Sequence, residues 1–144
     1  MINHQHFFST FAKESKVMNT KEDLQHLVEI KNVIQRYTEG TFEGNAEKLN
    51  QVFHANAVMN GFLMGKLMLS TPKPFIEDME KLQLKTQGLA YQSNITGIDI
   101  DGKVASIVLT ESGFPGNVSF TNYFHLIYDD DQWKIISKTF CSKN

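Results

Sequence analysis

The stretch from Ser119 to Cys141 reads SFTNYFHLIYDDDQWKIISKTFC, two runs of alternating residues joined by the acidic turn Asp129-Asp130-Asp131. Alternation with period two marks strands that show one face to a core and the other to solvent. An even loop pairs Tyr128 with Trp133, Leu126 with Ile135, Phe124 with Ser137 and Asn122 with Thr139. One face then carries Phe120, Asn122, Phe124, Leu126, Trp133, Ile135, Ser137, Thr139 and Cys141, none of them charged. The other carries Tyr123, His125, Ile127, Lys134, Ile136, Lys138 and Phe140. The uncharged face is expected beneath helices and the mixed face at the surface or in a subunit contact. A bulge would exchange these assignments beyond it.

Outward from this hairpin the rest of the chain falls into place. Tyr91 to Ile100 and Lys103 to Ser112 read as strands around the hairpin signal Asp101-Gly102. Val58 to Leu69 reads as a strand pair turning near Met64-Gly65. Before it, Leu27, Ile30, Ile34 and Tyr37 form an apolar stripe from Lys21 towards Gly44, with Thr20 as its N-cap. Asn45 caps a short second helix carrying Leu49, Val52 and Phe53. Thr71-Pro72-Lys73-Pro74 opens a third, with Phe75, Ile76, Met79 and Leu82 buried. The expected fold is α+β, a cone-shaped barrel of three N-terminal helices packed into a strongly curved, mainly antiparallel sheet. Residues 1–20 read as an N-terminal extension and 21–144 as one domain.

Composition excludes several classes. The 144 residues hold 14 Lys plus Arg against 16 Asp plus Glu, a net charge of −2 that gives no basic surface for nucleic acid. No apolar run reaches the roughly 20 residues of a membrane span. The single Cys141 makes no internal disulfide, so a reducing, cytoplasmic setting is expected, with the thiol buried and structural. The five histidines have no zinc spacing, and no phosphate-binding glycine loop is present, so neither metal nor cofactor is expected.

Three polar residues on the uncharged face, Asn122, Ser137 and Thr139, need hydrogen-bond partners, from one another or from a ligand. With Tyr37, Phe53, Met59, Phe75 and Phe124 they form the expected lining of a pocket for an apolar or aromatic small molecule. Tyr37 reads either as a core tyrosine or as a donor to a ligand carbonyl. His54 is expected to cap the second helix. Glu111 and His125 are expected outside as a cross-strand pair; turned inward, they become the best acid–base pair in the chain.

Tyr37-Thr38-Glu39-Gly40, Gly44-Asn45, Leu49, Phe53-His54, Ala57 and Gly61, with Phe120 to Tyr123 and Trp133 to Phe140, resemble the putative lumazine-binding family of the nuclear-transport-factor-2-like superfamily. The resemblance implies a cone with a pocket between helices and sheet, and a homodimer through the outer sheet face, here Tyr123, His125, Ile127, Ile136, Lys138 and Phe140. The superfamily includes ketosteroid isomerases, scytalone dehydratase and polyketide cyclases, which work by acid–base chemistry. The family pattern has an Asp where this chain has Asn122, and an amide is no general base. The sequence therefore favours a non-catalytic small-molecule binder, with an isomerase, dehydratase or cyclase as first alternative and a pure dimerisation module as second.

Overall fold

The computed structural model describes residues 20–144. All but Thr20 of the expected extension therefore lies outside the described residues. Helix α1 spans Lys21–Glu43. Thr20 Oγ1 accepts from the Asp23 amide at 3.0 Å, and Glu22 and Asp23 complement the dipole in the first turn. Gly44 ends the helix at φ 65°, a left-handed conformation that glycine adopts without strain. Asn45 caps α2, Ala46–Val52, and α3 spans Pro72–Leu82 with proline in its first turn.

Six strands form one sheet: β1 Phe53–Leu63, β2 Lys66–Ser70, β3 Gln92–Asp101, β4 Val104–Phe114, β5 Val118–Asp129 and β6 Gln132–Lys143. Their order is β2-β1-β6-β5-β4-β3. The β1–β6 pair is parallel and the others antiparallel. The sheet is mixed, curved and unclosed, and the three helices fill its concave side: an α+β cone fold. Ile30, Ile34, Tyr37, Leu49, Ile76 and Met79 from the helices meet Ile107, Leu109, Phe124, Leu126, Trp133 and Ile135 from the sheet in one core.

The final turn is even. Asp129 pairs with Gln132, Tyr128 with Trp133 and Leu126 with Ile135. Asp130 and Asp131 both take positive φ, the geometry of a tight two-residue hairpin. The next pair is His125 with Ser137, so Ile136 is an extra residue on β6. This bulge exchanges the faces of everything after it. Lys138 and Phe140 go inside, at 4% and 6% exposure. Ser137, Thr139 and Cys141 go outside.

A second bulge lies in β4. Glu111 pairs with Phe120 and Phe114 with Val118, which leaves one surplus residue around Ser112-Gly113, where Gly113 adopts φ 87°. Glu111 precedes that bulge and keeps the regular inward alternation of Ala105, Ile107 and Leu109; it is 3% exposed on the inner face beside Leu109 and Asn122.

Candidate functional site

The regular alternation of β4 and the Ile136 bulge of β6 thus bring a carboxylate and an ammonium into the cone together. Lys138 Nζ donates to the Tyr37 hydroxyl at 2.7 Å and sits 4.1 Å from the Phe75 ring centroid. Tyr37 is fully buried on the α1 stripe, its ring stacked on Phe75 at 5.9 Å. Glu111 accepts from the Tyr91 hydroxyl at 2.5 Å and from Asn122 Nδ2 at 2.6 Å. Asn122 also donates to the Leu109 carbonyl at 3.2 Å. Phe42 stacks on the Tyr91 ring at 5.7 Å and Phe114 meets it edge-on at 5.6 Å, which holds the hydroxyl on the carboxylate.

Glu111 and Lys138 line one cavity of about 250 Å³, enclosed by Met59, Leu63, Met68, Phe75, Met79, Phe114, Phe120 and Phe140. Apolar walls with a few convergent polar groups are the usual make-up of a small-molecule site. A larger groove of about 750 Å³ runs along α1 and the β5–β6 turn. It is open and lined by surface residues such as Glu29, Arg36 and Lys134, and it encloses no buried charge.

Burial governs the electrostatics. It pushes the Lys138 ammonium down to about 8, with the Glu111 carboxylate acting in the other direction. Burial first, then the charge of Glu111, holds the Tyr37 hydroxyl protonated well above the usual phenol range. The same two causes, in the same order, raise Tyr91. The constellation is a lysine whose free amine is accessible near neutral pH, a carboxylate oriented by two donors, and two tyrosines that stay neutral.

Of the residues expected to line the pocket, Met59 and Phe75 do so. Tyr37, Phe53, Phe124 and Asn122 are buried behind the cavity wall; Tyr37 bonds Lys138 and Asn122 bonds Glu111. Ser137 and Thr139 are corrected: the Ile136 bulge turns both outward, where Ser137 Oγ lies 3.3 Å from His125 Nδ1 and Thr139 is exposed. The expected outer-face group is split by the same bulge. Tyr123, His125, Ile127 and Ile136 face outward, while Lys138 and Phe140 belong to the interior.

Glu111 is inside without His125, so the expected cross-strand pair does not form. Cys141 is exposed rather than buried. His54 caps no helix; it lies in β1 and bonds Asp129 at 2.8 Å, tying the strand to the last turn. Tyr91, Lys138, Phe114, Phe120 and Phe140 were not expected at the site. Signals for the two bulges exist in the glycine near the end of β4 and the adjacent apolar pair Ile135-Ile136, both of which break a period of two.

Among the described residues no helix is long and apolar enough to cross a membrane, and no cluster of His, Cys, Asp or Glu could hold a metal ion. An NTF2-like protein of unknown function from Shewanella baltica is similar to this chain, with a TM-score of 0.75 and 21% identity over 88% of this chain and 99% of its own. Another, from Methylobacillus flagellatus, has a TM-score of 0.73 and 24% identity over 91% and 100%. A protein from Shewanella frigidimarina described as a putative ketosteroid isomerase has a TM-score of 0.57 and 19% identity over 76% and 92%. These likenesses establish the NTF2-like fold. No curated protein matches the sequence. The model of the putative lumazine-binding family matches residues 25–141, and the chain belongs to that family.

Proposed function

We propose that this chain binds an apolar, carbonyl-bearing small molecule in the Glu111–Lys138 cavity and acts on it by acid–base chemistry, without a cofactor, as an isomerase, dehydratase or cyclase. The observation that carries this reading is the placement of a buried carboxylate and a buried ammonium on the wall of one apolar cavity. Glu111 is positioned by Tyr91 and Asn122 to take a proton from carbon, and Lys138 to offset the negative charge that develops on the carbonyl oxygen. The Asn122 amide, which cannot itself act as a base, instead orients the carboxylate on the neighbouring strand. The fold neighbour described as a putative ketosteroid isomerase accords with carbon-acid chemistry. The family's name does not by itself select a ligand.

The test is a calorimetric screen of flavins, pterins, steroids and small aromatic ketones, with α-deuterium exchange from D₂O followed by NMR for each compound bound. Exchange that is lost in Glu111→Gln, with binding retained, is the expected result. Binding without exchange in the wild type makes the protein a non-catalytic binder. No binding at all removes the cavity as a site.

We also propose a homodimer through the outward side chains of Tyr123, His125, Ile127 and Ile136, in a reducing cytoplasmic setting that leaves the exposed Cys141 thiol free. Tyr123, 54% exposed, pairs with Val108 on β4, and Val104, also 54% exposed, pairs with Ile127, which makes an apolar patch on the outer face. Sedimentation of Tyr123→Asp is expected to show monomer where wild type is dimeric; an identical profile for both proteins argues against this face.

A further inference from the structure

We propose that Lys138 is a nucleophilic amine that captures the carbonyl carbon of an apolar aldehyde or ketone in the cavity as an iminium ion. This rests on the reading that the cavity binds such a molecule, and deepens it by giving the electron sink a covalent form.

The geometry supplies the argument. Lys138 is 4% exposed and its amine borders the apolar cavity. Among the described residues it forms no ion pair; its partner is the neutral hydroxyl of Tyr37. Three aromatic rings, Phe75, Tyr37 and Phe140, stand 4.1, 5.2 and 5.5 Å from Nζ. A surface lysine at neutral pH is almost wholly protonated and unreactive. A lysine desolvated in an apolar pocket keeps its lone pair available, which is how amine nucleophiles are generated. At about pH 7.5 a lysine titrating at about 8 holds on the order of a hundredfold more free amine than one at the usual ~10.4.

The Nζ lone pair forms a bond to the carbonyl carbon while the C=O π pair moves to oxygen. That oxygen takes up protons and leaves as water, and the carbon–nitrogen double bond closes with a positive charge on nitrogen. The net change consumes one proton and releases one water. Tyr37, 2.7 Å from Nζ, keeps its own proton and holds the amine in place. Once formed, the iminium withdraws electrons from the adjacent C–H, and Glu111 on the same wall can accept that proton.

The competing account is a structural lysine held by cation–π contacts alone. Benzaldehyde with sodium cyanoborohydride near pH 7.5 distinguishes the two, because reduction of an iminium leaves a stable benzyl group on the amine that peptide mass spectrometry locates. Lys138 is expected to be labelled at least about tenfold faster than any other lysine, since a lower pKa also reduces intrinsic nucleophilicity and takes back part of the hundredfold. Its rate should rise through about pH 8. The groups facing Nζ that shape this profile are Tyr37 on α1, Asp78 on α3, which lines the same cavity, Glu111 on β4, and Tyr91, which bonds Glu111. Met59 on β1 and Phe124 on β5 contribute no charge.

Lys138→Arg keeps the charge and cannot form the iminium. It should lose the site label while still binding the probe, as read from shifts of the cavity methionine methyls by NMR. Even labelling of all lysines, with the methionine shifts showing the probe inside, overturns the nucleophile and leaves the binding site standing. Even labelling with no methionine shift overturns both. These wild-type arms do not depend on the variant folding.

Discussion

Lys138 Nζ and the Tyr37 hydroxyl, 101 positions apart in sequence, are joined across the core by a 2.7 Å hydrogen bond. This contact fastens the last strand to the first helix and fixes where the buried charge points. Tyr37→Phe leaves the ammonium one acceptor short in a fully buried setting. Denaturant unfolding should show a loss of about 1–3 kcal/mol, larger than the effect of removing a hydroxyl at the surface.

Burial of Lys138 makes stability depend on pH in an unusual direction. Its folded value is about 8 and its unfolded value ~10.4, so between them the unfolded chain binds the extra proton. Stability should therefore rise from about pH 8 towards pH 10, by about 3 kcal/mol if nothing else titrates. Above ~10 the opposite sign takes over, because Tyr37 and Tyr91 keep their protons in the fold and lose them on unfolding. Unfolding curves at several pH values should give a maximum near pH 10. Lys138→Met should flatten the rise and stabilise the protein near neutral pH by about 1–3 kcal/mol, as apolar replacements of buried charges often do. A flat wild-type profile would mean the ammonium is solvated.

Asn122→Asp places a second carboxylate against Glu111, where the amide nitrogen now lies 2.6 Å away. Two carboxylates at that distance share one proton, which the folded state holds and the unfolded chain releases above pH ~5. The variant should lose about 2–4 kcal/mol near neutral pH and recover part of it in acid. Equal unfolding midpoints at pH 5 and pH 7.5 would contradict the contact.

Gly61 has its constraint on the β1–β6 seam. A Cβ there would press into the Phe140 carbonyl, closer than real contacts allow, with the Phe140 ring also in the way. Gly61→Ala must part the two strands that enclose the cavity. A loss of about 2–4 kcal/mol is expected, together with reduced binding of any cavity ligand; an unchanged melting temperature would show that the seam yields easily.

Legible in the sequence alone were the order of elements, the caps at Thr20 and Asn45, the buried stripe of α1, the acidic turn at Asp129-Asp130-Asp131, and the uncharged inner face up to Ile135. Met59 and Phe75 in the cavity wall, and Asn122 buried behind it, could also be read there. These features follow from local rules: a cap satisfies amides within one turn, and alternation repeats every two residues. The chemistry of the cavity does not follow from them. One inserted residue at Ile136 reverses the facing of Lys138 and Phe140, and that insertion is settled by what the neighbouring strands and helices can bury. Turning Phe140 inward against Gly61, and Lys138 onto Tyr37 and Phe75, are contacts between segments far apart in the chain. Only the folded sheet decides them, because the competing registers differ in tertiary packing and not in local preference.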